Sequence, residues 1–101
     1  MISSKIVILS EMIKGESSRS NAIQAREHIL SLLNEFDSVT IDLQSTNFTP
    51  SVADEIIGGL AKLLGAESFK KKIKILNASD SQMALMRHVI ARRLDTNSKS
   101  H

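Results

Sequence analysis

The sequence predicts a single small α/β domain. Three observations carry that prediction: strand-like and helix-like segments alternate, the core lacks large aromatics, and the length leaves no room for a second domain. Within 101 residues, 42% of them hydrophobic, three apolar β-branched runs alternate with three stretches of helical periodicity. That suffices for one core. Phe36, Phe48 and Phe69 are the only aromatic residues, so Ile, Leu, Val, Ala and Met must fill the space between sheet and helices. A platform for stacked bases is not expected.

Lys5-Ile6-Val7-Ile8-Leu9 reads as a first, buried strand that could run on through Met12 and Ile13. Lys14 to Ser18 has turn composition. Ala22, Ala25, Ile29, Leu32, Leu33 and Phe36 then recur at helical spacing, which predicts a helix from Arg19 or Ser20 to Phe36, capped by Ser18 or Ser20. Ser38 to Leu43 forms a second strand with Val39, Ile41 and Leu43 on one face. After a loop from Gln44 to Pro50, Val52, Ile56, Ile57, Leu60, Leu63 and Leu64 trace a second helix, and Gly65 suits its carboxyl cap. The third strand covers Lys72 to Asn77. The third helix opens at Ser79 or Asp80 with Met83, Met86, Val89, Ile90 and Leu94 on its inner face. The expected organisation is one domain over residues 1–95 and a flexible polar tail over 96–101, with parallel neighbours in the sheet and about three flanking helices.

Composition excludes several function classes. With no cysteine, disulfide scaffolds, thiol catalysis and cysteine-based zinc sites all fall away. The amino terminus lacks a signal-peptide pattern and no segment approaches the ~18 apolar residues of a membrane helix, so a cytoplasmic address is expected and a membrane is not an expected partner. The net charge of +2 is modest. His28 and His88 have no second ligand at metal spacing, and no nucleophile, base and orienting group can be assembled. The reading is of a protein that is not an enzyme and needs no cofactor or metal.

The most unusual local sequence is Thr46 to Glu55, between the second strand's carboxyl end and a helix amino terminus, where open α/β sheets usually meet ligands and partners. Two capping arrangements compete there. Either Thr49 caps with Pro50 in the first helical position, or Ser51 caps with Asp54 completing a capping box. Asp54 and Glu55 also oppose the helix dipole favourably, for ~0.3–1 kcal/mol each.

The run Val39-Thr40-Ile41-Asp42-Leu43, a spacer, Phe48, and then Ser51-Val52-Ala53-Asp54-Glu55 resembles the STAS-like family of uncharacterised bacterial proteins. In that family an apolar strand ends in Asp-Phe and, after a short loop, Ser-Phe-Ala-Asp-Glu opens a helix. Ser18-Arg19-Ser20 resembles the family's Ser-Arg step, and Ile73 to Asn77 its final strand, so the resemblance runs from about Ser17 to Leu94. It implies a small mixed sheet flanked by helices, similar to anti-sigma-factor antagonists, with a loop–helix junction that docks a histidine-kinase-like ATPase. In such antagonists a serine at the junction is phosphorylated and the complex breaks. Here Ser51 lies beside the usual phosphoserine position, Val52 occupies it, and the Ser-Gly pair is missing. The partner-binding residues this implies are Asn47, Thr49, Ser51, Asp54 and Glu55, with Ser51 the candidate phosphorylation site. Arg19 is expected to make a second contact or an ion pair with the acidic turn. The charges of Asp54 and Glu55 should repel a phosphate on Ser51.

A rival reading from another class is a nucleotide or small-anion sensor in which Arg19 and the helix amino terminus receive the anion. Gly58-Gly59, each costing about 1 kcal/mol inside a helix relative to Ala, requires a compensating close approach to sheet or partner. Lys70, Lys71, Lys72, Lys74, Arg87, Arg92 and Arg93 could form a basic strip, but edge lysines and dipole-pairing arginines explain them without nucleic acid. Nothing in the pattern excludes a homo-oligomer.

Overall fold

A computed structural model describes the backbone of residues 3–13 and 19–98, and side chains as far as Leu94. The turn expected at Lys14 to Ser18, a Ser18 cap and residues 99–101 lie outside the described residues. Three strands, β1 (Ser4–Ile8), β2 (Ser38–Asp42) and β3 (Ile73–Leu76), form one sheet in the order β1-β2-β3. Both pairings are parallel, with Lys5, Val39 and Ile73 abreast, then Ile6, Thr40 and Lys74, then Val7, Ile41 and Ile75. Parallel neighbours need helical crossovers, and the alternating sequence supplies them. Among the described residues no antiparallel strand joins the sheet to make it mixed.

Between β1 and β2 lie α1 (Leu9–Met12) and α2 (Arg19–Leu32). Between β2 and β3 the chain runs through α3 (Pro50–Ala53), a π-helical turn π1 (Asp54–Gly58) and α4 (Gly59–Leu64), then α5 (Ala66–Lys72). The last element is α6 (Asp80–Ser98). Residues 50–64 form one rod, and π1 touches both α2 and α6, so this rod is the middle of the helical layer. Its apolar side carries Val52, Ile56, Ile57 and Leu60, all fully buried in one cluster with Val39 and Ile41 of the central strand, Leu43 just after it and Ile29 of α2. Each such side chain contributes roughly 1.5–3 kcal/mol by leaving water.

The departures from expectation have local causes. The first strand ends at Ile8 rather than continuing to Ile13, because Leu9 and Ile13 are spaced for one helical face and both are buried there. α2 stops at Leu32 and the chain reaches Phe36 through turns. Gly65, at φ 86°, ends α4 as a carboxyl cap should, but α5 follows at once and takes Lys72 from the third strand. Only Phe69 of α5 packs on the core, so the segment carries no apolar periodicity to reveal it. Met83 is exposed, and the inner face of α6 is built on Met86 and Val89. The same helix continues through Thr96 to Ser98, residues assigned from sequence to the polar tail.

Candidate functional site

The carboxyl ends of β2 and β3 are tied together by one acid. Asp42 Oδ1 accepts from the Gln44 amide at 2.9 Å and from Asn77 Nδ2 at 3.0 Å, and the Leu43 amide donates to the Leu76 carbonyl at 2.9 Å. Asn77 takes a left-handed conformation, φ 59°, which its short polar side chain tolerates. The loop after β2 is thereby held at the edge of the sheet. It enters the helix through Thr49, whose Oγ1 accepts from the Val52 amide at 3.2 Å, with Pro50 in the first turn. Of the two capping arrangements open to the sequence, this one forms. Ser51 is therefore released from capping and lies exposed in the first turn, as Asn47 and Pro50 are exposed beside it, with Thr49 half-buried.

Asp54 does not close a capping box with Ser51. It faces α6, where Arg93 Nε and Nη2 donate to its two oxygens at 3.0 Å each. Glu55, only 7% exposed, faces α2: Arg26 Nη1 donates to Oε1 at 3.1 Å, and Arg19 pairs with Oε2. Asp54 and Gly58, and likewise Glu55 and Gly59, are four residues apart, so each acid stands about one turn before a glycine. A Cβ on Gly58 would meet Arg93 Cγ at 3.0 Å, and one on Gly59 would meet Arg26 Cδ at 2.8 Å. The glycine pair opens two slots across the rod, and an arginine from each flanking helix lies in one slot on its acid. This is the close approach that two helical glycines require. The π turn spans the same residues, its Gly59 amide reaching back to the Asp54 carbonyl; such turns are rare and concentrate at sites with special demands.

Three guanidiniums meet two carboxylates, so the cluster of Arg19, Arg26, Arg93, Asp54 and Glu55 carries one net positive charge. The acidic turn expected to repel a phosphate is thus neutralised from both sides. Hydrogen bonds from Arg93 hold the Asp54 carboxyl below its ordinary pKa against the opposing effect of burial, and Asp54 in return raises Arg93. Arg26 Nε is buried without a hydrogen-bond partner, so its guanidinium depends on Glu55.

Arg19 makes the expected ion pair with the acidic turn, and its side chain stays 60% exposed next to it. Ser51 lies one turn before Glu55 on the same rod, while Asp54 is directed to the other flank. Sequence reasoning missed Arg26 and Arg93. The repeated acid–glycine spacing was a readable signal, as was Arg19 itself, a cation placed at the unfavourable end of the α2 dipole. Arg93, read as a dipole partner of its own helix, instead binds Asp54. The basic residues belong to separate elements, with Lys70, Lys71 and Lys72 on α5 and Lys74 on β3. His28 and His88 are exposed, and no metal-binding cluster and no helix long and apolar enough to cross a membrane occurs among the described residues.

The model of a STAS-like domain of unknown function (DUF4325) matches residues 21–83. No curated protein and no solved structure matches the chain. The matched span begins in α2, takes in β2, the capped loop, the slotted rod and β3, and ends in α6. Because that span is more than half of the chain and contains both carboxylates and both glycines of the slots, the protein belongs to the STAS-like domain family DUF4325.

Proposed function

We propose that this domain is a non-catalytic, cytoplasmic regulatory module that docks a signalling protein, a histidine-kinase-like ATPase in the first instance, through the loop and first turn before the rod. The observation that supports this reading is the contrast within that turn: Asn47, Pro50 and Ser51 are exposed on a segment whose backbone is fixed by the Thr49 cap and the Asp42 ties. A rigid scaffold that presents an exposed loop at the carboxyl edge of a parallel sheet is the usual setting for recognition. Asn47, Thr49 and Ser51 form the contact, and Arg19 extends it across the junction. Asp54 and Glu55 act from behind by holding the arginines.

Phosphorylation of Ser51 is the regulatory step of the proposal. It would add about −1.5 to −2 charges to the docking face. At the first turn the helix dipole tolerates that charge, so the modification would dissociate the partner without melting the helix.

The test is isolation of bound proteins from native lysate with magnesium and ATP, using wild-type bait and Asn47→Ala/Ser51→Arg bait, with the intact mass of each bait recorded. Recovery of a kinase-like ATPase by wild type and its loss from the variant are expected, with a mass gain of one phosphate that the Ser51 change removes. Equal recovery by both baits would reject this face. Stabilisation by nucleotide with no protein bound would favour the anion-sensor alternative.

A further inference from the structure

We infer that the outer face of the sheet is a second docking surface, whose occupant is one amphipathic α-helix with an acidic flank from a partner protein. The register sets Ile6 beside Thr40 and Lys74, and Ile8 beside Asp42 and Leu76, on the face opposite Val7, Val39, Ile41 and Ile73. The helices cover the inner set. On the outer set Ile6 is 59% exposed, Leu76 43% and Ile8 37%, on adjacent strands. Sheets in which every strand is parallel are found almost only with both faces covered, and the cover is helical.

The dimensions and charge of the patch choose the occupant. Two strand spacings of about 4.8 Å make the face about 10 Å wide, which is the diameter, ~10–12 Å, of one α-helix. Its five-residue length of about 17 Å gives an area of roughly 170 Å², well short of the ~800 Å² per partner that a standard interface buries. A second copy laid face to face would therefore make a poor dimer. It would also set Lys74 against an apolar strand or against another Lys74, with no carboxylate in either arrangement. Asp42 is poorly placed to serve, because it is only 7% exposed and its Oδ1 is already bonded to the Gln44 amide and the Asn77 side chain. Lys74 is the free charge on this face, at the β3 edge, and it selects a helix that carries Glu or Asp along that flank of its apolar stripe. The surface is separate from the loop of Asn47 to Ser51, so failure of one docking face leaves the other standing.

The experiment titrates the labelled full chain with two synthetic amidated helices of about five turns, identical in their leucine stripe, one flanked by Glu and the other by Lys. Amide chemical shifts locate binding. The acidic helix should move Ile6, Thr40, Lys74 and Leu76 and should bind several-fold more tightly than the basic one. Lys74→Glu should reverse that order, and Thr40→Arg, which places a charge at the centre of the face, should abolish both, each variant keeping the wild-type melting temperature within a few degrees. Absence of shifts at saturating peptide, shifts confined to the helical layer, or equal affinity for both helices would overturn the proposal. So would concentration-dependent dimerisation abolished by Thr40→Arg, because the occupant would then be a second copy.

Discussion

Ser51 and Glu55 stand one turn apart on the same rod, and one is exposed while the other is 7% exposed between two arginines. The turn that begins the rod faces the surroundings, and the turn that follows it holds the layer together. In this domain the acidic motif beside the exposed loop is a fastening. The two acids also differ from each other. Glu55 carries Arg26, whose side chain is 18% exposed, whereas Asp54 and Arg93 are 29% and 27% exposed, so the α2 slot lies deeper in the protein than the α6 slot.

Substitutions can break this contrast, and the largest effect should come from Glu55→Gln. It leaves the Arg26 guanidinium in its slot without a counter-charge, and the loss of one partner from a buried pair should destabilise the fold by about 2–3 kcal/mol in urea unfolding. Gly59→Ala comes next. The new methyl would stand 2.8 Å from Arg26 Cδ, so the guanidinium must shift on Glu55, and a net loss of about 1–2 kcal/mol should remain after the helix-propensity gain. Gly58→Ala meets the more exposed Arg93 and should be close to neutral in the same assay. A reversed order would mean that the α6 slot is the tighter one.

Asp54→Asn should cost about 1 kcal/mol at neutral pH. Its pH dependence sharpens the account. Because the folded Asp54 pKa is lowered, its contribution is fully present above the unfolded value of about 4 and is lost as pH falls through the folded one. The stability difference between wild type and Asp54→Asn should therefore be constant from pH 7 to about pH 5 and shrink below pH 4. A difference unchanged at pH 2 would contradict the ion pair with Arg93. The smallest stability change should come from the loop: Asn47→Ala/Ser51→Arg touches exposed positions and should stay within about 0.5 kcal/mol of wild type.

The layered fold was legible because strand alternation and helical spacing are local signals, and the Asp42-Leu43, Phe48 and Ala53-Asp54-Glu55 positions pointed to the family whose model matches residues 21–83. What escaped was non-local. α5 has only Phe69 against the core, and its last residue, Lys72, reads as the start of the following strand. Arg26 and Arg93 lie 29 and 39 residues from the acids they bind, and each looks like an ordinary polar helix residue until the layers are stacked. The Gly58-Gly59 pair did announce a close approach, but not that arginine side chains make it.

The most direct test of the proposed division between docking turn and holding turn is to measure, for Asn47→Ala/Ser51→Arg, both the melting temperature and, by calorimetry, the affinity for the kinase-like ATPase that the proposal expects wild-type bait to recover. The account predicts a melting temperature within a few degrees of wild type and at least ten-fold weaker binding. Wild-type affinity in a folded variant would contradict it, and would move the docking surface away from this turn.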